Sequence, residues 1–210
     1  MTRFKLPLLS LAVALLFAGC STSQNPADGG DTQASVTGDR IEAFVGPGGS
    51  VAVGDPAAQF DKAFPRPEGS TTPESPPLEG VEFVGWQNDR EMASAAIQDG
   101  KIAALYHGRA KAEPDWIAEA RSRFGKAELD VSNDLGAVAN WKRGDKELVI
   151  MLQQGQGGGL TVRVAGTSEM LKRLQLNAGE LASNLEAQAR AISGSPAGQP
   201  GHSPDDGHGH

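Results

Sequence analysis

A ten-residue pattern occurs twice in this chain, as Asp55 to Phe64 and as Asp115 to Phe124, and each copy has the marks of a short amphipathic helix. In the first, Asp55 is a capping residue with Pro56 at the first helical position; Ala57, Phe60 and Phe64 share one face, and Pro65 stops the run. In the second, Glu113-Pro114-Asp115 opens the helix in the same manner, Ile117, Ala120 and Phe124 share a face, and Gly125 ends it. A pattern that recurs at fixed spacing implies two similar units that must bury their apolar faces together.

Three strands are expected after each helix. In the first unit they are Val81 to Gln87, Glu91 to Gln98 and Lys101 to His107, the last two joined by the hairpin signal Asp99-Gly100. In the second they are Gly136 to Arg143, Lys146 to Gln153 and Leu160 to Val164, joined by Gly144-Asp145 and by the glycine-rich turn Gly155 to Gly159. Trp86 and Trp141 occupy matching places near the end of each first strand. Leu148 to Leu152 is apolar throughout and is expected to be central, whereas Leu160, Val162 and Val164 alternate with Thr161 and Arg163, so that strand is expected to keep one wet face. Before the first helix, Ile41 to Val45 and Val51 to Val53 flank a turn at Gly46-Pro47-Gly48-Gly49. The expected fold is α+β: two tandem α-β-β-β units, about residues 51–108 and 112–166 within a domain spanning 41–166, share an antiparallel sheet with helices on one face, and a C-terminal helical segment follows.

In this order of helix, glycine stop and hairpins, residues 50–166 resemble the α/β modules of the beta-lactamase-inhibitor-like group and the related small lipoproteins of the outer-membrane barrel assembly machinery. Arg123-Phe124-Gly125-Lys126 comes nearest to that group's helix ending, while the first unit has Pro65 where the group usually has Gly. The resemblance implies a fold and carries over no functional residue.

The N-terminus has a different character. Arg3 and Lys5 precede an apolar run from Leu6 to Phe17, and Ala18-Gly19 puts small residues before Cys20, the only cysteine. That is the layout of a signal peptide over residues 1–19, and the apolar run is too short to span a bilayer. Phe17-Ala18-Gly19-Cys20 resembles the bacterial lipobox, with Phe where Leu is usual. The resemblance implies cleavage before Cys20 and lipid on its sulfur, hence a cell-envelope protein attached to a membrane. Ser21 after the cysteine, by the same resemblance, favours the outer membrane, facing the periplasm. Residues 20–40 are almost wholly polar or small and are expected to serve as a flexible tether. Acylation of Cys20 leaves no thiol for a disulfide, a nucleophile or a thiolate metal site.

Charge excludes one class of partner. Removing residues 1–19 takes away two of the 19 basic side chains, leaving 17 against 26 acidic ones, a formal charge of −9. Nucleic acid demands a basic face, so no nucleic-acid partner is expected.

Residues 168–192 read as a helix or helix pair. Leu171, Ala178, Leu185 and Ile192 recur every seven residues with Leu174 and Leu181 between them, and Asn177 with Glu180 is expected to form a capping box for a second helix at an interruption. Two readings stand: an amphipathic helix folded back on the sheet, or self-association through a short coiled coil. Residues 193–210 form a polar, Gly/Pro-rich tail.

Candidate chemistry is sparse. His107 is the only histidine of the folded part and is expected to be a strand-end surface residue; a hydrolase would need it as the base of a triad, without a G-x-S-x-G elbow beside it. The tail carries His202, Asp205, Asp206, His208 and His210, of types that bind zinc, copper or nickel, although ordering the tail would offset much of the binding energy. The glycine clusters at 46–49 and 155–159 lack the following Lys-Ser or Lys-Thr and helix of a phosphate loop, and Arg143-Gly144-Asp145 reads as hairpin chemistry. The proline-rich stretch Pro65 to Pro77 is either a spacer or an extended surface for a partner. No catalytic residue, cofactor or firm metal site is assigned; Cys20 is the one expected site. The expected function is a non-enzymatic, lipid-anchored interaction or scaffold module with a protein partner in the envelope. The alternatives are an envelope metal-binding protein using the tail, and a hydrolase using His107.

Overall fold

A computed structural model describes residues 40–193 apart from 76, 156 and 157. Cys20, His202, His208 and His210, with the expected signal peptide, tether and tail, lie outside the described residues. Among the described residues no helix is long and apolar enough to cross a membrane.

The fold is mixed α+β. A hairpin of β1 (Ala43–Gly46) and β2 (Gly49–Ala52) leads into α1 (Ala58–Ala63), then β3 (Glu82–Gln87), β4 (Glu91–Gln98) and β5 (Lys101–Arg109). Next come α2 (Pro114–Phe124), β6 (Leu129–Asn133), β7 (Gly136–Arg143), β8 (Lys146–Gly155) and β9 (Gly158–Thr167), and finally α3 (Ser168–Arg173) and α4 (Ala178–Ser193). Seven strands make one antiparallel sheet in the order β3-β4-β5-β9-β8-β7-β6, so β5 and β9 meet at its middle. The hairpin turns sit at Asp99-Gly100 and Gly144-Asp145, where Asp99, Gly100 and Gly144 have positive φ.

Helices cover both faces of the sheet. On one side, Phe60 and Phe64 at α1, Trp116, Ile117 and Ala120 of α2, and Ile41, Phe44, Val51 and Val53 of the hairpin region pack on Ala93, Leu105, Ala139, Leu148 and Ile150. On the other, Met170 and Leu171 of α3 and Ala182 and Leu185 of α4 pack on Ala104, Val138, Val149, Val162 and Val164. The expected heptad positions Leu171 and Leu185 are thus buried against this chain's own sheet, with Leu174, Ala178 and Leu181 partly buried beside them. This is the folded-back reading of the C-terminal segment.

Several local expectations give way. Asp55 does not cap α1: its carboxylate accepts the Ala52 N–H at 2.8 Å and closes the turn after β2, and α1 starts without a side-chain cap. Glu113 does not cap α2 either, because its carboxylate is held by Arg109 and Lys111 at 3.1 and 3.0 Å. Beyond α3 the chain breaks at Gln175, which has a positive φ, and Asn177 restarts it by accepting the N–H groups of Gly179 and Glu180. Strand β6 was not expected; it pairs with β7 and forms one edge of the sheet. At the opposite edge the proline-rich stretch runs beside β3, where Thr71 and Gln87 exchange two backbone hydrogen bonds of 2.9 Å. Arg66 ties the same stretch to the Gly85 carbonyl at 2.6 Å, so the loop covers part of an edge that would otherwise be open.

Candidate functional site

The concentration of charge inside this protein lies on the middle strands. His107 of β5 and Arg163 of β9 are cross-strand partners. Both side chains point into the layer under α2 and the β1–β2 hairpin. His107 is 0% exposed and Arg163 1%, so neither the surface histidine nor the wet face of β9 expected from the sequence exists. Thr161, on the same side of β9, is also 0% exposed. The reason is the covering layer: the hairpin and α2 close over a strand face that alternation alone would leave to solvent.

His107, Arg163 and Thr161 each have specific partners. Arg163 reaches His107 Nδ1 through Nε at 3.1 Å and Nη2 at 2.8 Å. A guanidinium can only donate, so Nδ1 is the acceptor and the ring proton sits on Nε2. That Nε2–H donates to Glu91 Oε1 at 2.5 Å. Two aromatic rings lie against the guanidinium as well: its Cζ stands over the ring of Phe44, 4.6 Å from the centroid, and over that of Trp116, also at 4.6 Å. Two aromatic faces around a dehydrated cation return part of the several kcal/mol that burial of the charge costs. Trp116 also packs on the imidazole, with centroids 5.0 Å apart, and Phe64 lies 5.5 Å from it.

The cluster reaches the surface at Glu91 and Arg109. Arg109 Nε lies 3.6 Å from Glu91 and its Nη1 3.1 Å from Glu113. Thr161 closes this end by accepting the Glu113 N–H at 2.7 Å and donating to the Lys111 carbonyl at 3.0 Å.

Burial sets the protonation states. It lowers the pKa of His107 to about 4, against the opposing pull of the Glu91 hydrogen bond and with the help of the positive charge on Arg163. Burial lowers Arg163 to about 9, partly opposed by the Glu119 carboxylate, so the guanidinium is cationic at neutral pH. Burial alone would raise Glu91, but the hydrogen bond from His107 and the charge of Arg109 outweigh it and hold the carboxyl below its usual range. At pH 7 the cluster is therefore cation, neutral ring and anion in a row.

No family model matches the chain, and no curated protein matches it. Among solved structures, a cysteine-rich secretory protein from Staphylococcus aureus subsp. aureus Mu50 aligns at 17% identity with a TM-score of 0.36, covering 57% of this chain and 46% of that one. The chain thus spans under half the length of that protein, and a likeness of this degree carries no argument.

In chemical terms the cluster binds itself. A general base needs a free lone pair within reach of a substrate proton, and Nδ1 gives its lone pair to Arg163. Among the described residues there is no group of three or more His, Cys, Asp or Glu side chains placed to hold a metal ion. Sequence reasoning found His107 but misplaced it, and it missed Glu91, Arg163 and Trp116. Two signals were present: a cation, Arg163, in the same strand as Val162 and Val164, and a histidine that two predicted hairpins would carry toward the sheet centre.

Proposed function

We propose that this chain is a lipid-anchored protein of the cell envelope whose folded part acts as a non-enzymatic interaction module. The observation that carries the reading is the saturation of the buried cluster: His107, which a hydrolase would need, has both ring nitrogens engaged, by Arg163 and by Glu91. The anchor rests on Phe17-Ala18-Gly19-Cys20 behind an apolar run, and two or three acyl chains at about 0.8 kcal/mol per buried methylene would make attachment durable. By the resemblance of the cleavage site, the outer membrane facing the periplasm is the proposed location.

Within the fold, we read the two α-β-β-β stretches as tandem copies of one unit. Trp86 Nε1 donates to the Phe64 carbonyl at 3.0 Å and Trp141 Nε1 to the Gly125 carbonyl at 2.9 Å, each closing the end of its unit's helix. Strands β5 and β9, the last of each unit, pair antiparallel. In this reading β6 is an addition to the second unit, at the place where the first has its proline-rich stretch.

Affinity capture from detergent-solubilised envelopes tests the proposal. The acylated chain should recover a defined protein, and the Cys20→Ser variant added to the same extract should recover it too, since the variant removes only the anchor. Capture of nothing above background by either form contradicts an interaction role. A metal-binding role through the tail is favoured by one feature, the spacing of His208 and His210 beside Asp205, Asp206 and His202. Calorimetry with copper or zinc on the full chain and on a form ending at Ser193 separates it: equal heats remove the tail from consideration.

A further inference from the structure

The buried imidazole is a titratable group that an interaction role leaves unused, and its surroundings make its protonation consequential. Nδ1 accepts from Arg163 and Nε2 donates to Glu91. Because Arg163 offers no acceptor, a proton placed on Nδ1 leaves N–H facing N–H, and the guanidinium must withdraw. Arg163 cannot withdraw alone, since it is clasped between Phe44 of the β1–β2 hairpin and Trp116 of α2.

We propose that Glu91, His107 and Arg163 form an acid-released latch: it holds the β1–β2 hairpin and α2 against the sheet, and this layer loosens when His107 takes up a proton. Helices α3 and α4, packed on the opposite face, stay in place. The groups around the ring come from every neighbouring element. Glu91 faces it from β4, Arg109 from its own strand and Arg163 from β9. Trp116 of α2 and Phe64 at the end of α1 pack on it. Glu119 of α2 acts on Arg163, and Glu113 holds Arg109. A protonated ring adds a third positive charge beside Arg163 and Arg109, with Glu91, one-third exposed at 32%, as its hydrogen-bonded carboxylate.

The size of the effect follows from linkage. The latched ring has a pKa of about 4, and a ring released to water returns to about 6.5. Acid therefore favours the loosened layer, on the order of 100-fold between about pH 7.5 and about pH 4. The latch is built from the ring and its neighbours alone and needs no binding partner.

Amide hydrogen exchange on the full-length chain, corrected for the intrinsic pH dependence of exchange, reads the two layers separately. Between about pH 7.5 and about pH 4, protection in β1, β2 and α2 should fall on the order of 100-fold, while those amides of α4 that exchange by local opening rather than by global unfolding keep theirs. His107→Gln is the non-titrating counterpart, since its amide oxygen can accept from Arg163 and its amide nitrogen can donate to Glu91; its layer difference should stay flat over this range. Imidazole resonances of the wild type give a second reading that needs no variant, and should titrate together with the loss of protection. Unchanged protection of β1, β2 and α2 at acid pH, an equal loss at the locally exchanging amides of α4, or a ring that titrates without any loosening each overturn the latch.

Discussion

The clasp on Arg163 makes a quantitative claim that a double-mutant cycle can read. Phe44 is 0% exposed and Arg163 1%, and the guanidinium carbon lies 4.6 Å from the ring centroid, inside the roughly 6 Å range of a cation–π contact. At a desolvated site such a contact is worth about 2 kcal/mol or more, whereas an exposed one is worth about half that or less. Phe44→Leu conserves much of the apolar bulk and removes the π face. Its cost in the wild type should therefore exceed its cost in an Arg163→Met background by about 2 kcal/mol, because in that background there is no cation for the ring to face. Using the cycle avoids having to know the sign of Arg163→Met itself, in which relief of a buried charge opposes the loss of a partner for Nδ1. Chemical denaturation midpoints for the four proteins, with unchanged m values, give the coupling directly. Phe60→Leu, at an equally buried ring, is the control: its cost should be the same in both backgrounds. A Phe44 coupling within about 0.5 kcal/mol of zero, the ordinary error of additivity, would refute the clasp.

Three further outcomes follow from the same geometry. The folded pKa of His107 is depressed to about 4, so the unfolded chain binds a proton that the folded one refuses; stability is full above about pH 6.5 and should fall by about 3 kcal/mol as pH drops to about 4, measured as denaturation midpoints against pH. Glu91, held below its usual range, adds loss in the same direction at still lower pH. Gly48→Ala should destabilise by about 3 kcal/mol, since its Cβ would stand 1.9 Å from the Lys62 carbonyl oxygen and the hairpin would have to lift from α1; thermal melts check it. Trp86→Phe should cost about 1–3 kcal/mol in denaturant by leaving the carbonyl of the buried Phe64 unpaired, and Trp141→Phe should cost less, because Gly125 is exposed and its carbonyl can turn to water.

What the sequence reveals and what it conceals divide along physical lines. Hairpins are written locally, in Asp99-Gly100 and Gly144-Asp145, and the structure places turns there. The apolar stretch Leu148 to Leu152 faces both cores, as continuous hydrophobicity implies. Strand β6 has the right alternation, with Leu129 and Val131 between polar neighbours, but it is short and follows so soon after Gly125 that it reads as a loop. Burial of His107 and Arg163 depends on a layer made far away in sequence, by Phe44 and Trp116, and no local pattern announces which face of a strand will be covered. The caps expected of Asp55 and Glu113 fail for a related reason: each carboxylate has a competing donor, the Ala52 N–H in one case and Arg109 with Lys111 in the other. A capping signal states that a bond is available locally, and the tertiary structure decides whether it forms.

The proposed role depends on where the chain is held, and that depends on one sulfur atom. Mass spectrometry of the N-terminal peptide from protein isolated out of envelopes decides it. The account expects a chain that begins at Cys20 and carries diacylglycerol in thioether linkage. A mature chain beginning elsewhere, or Cys20 with a free thiol, would contradict it.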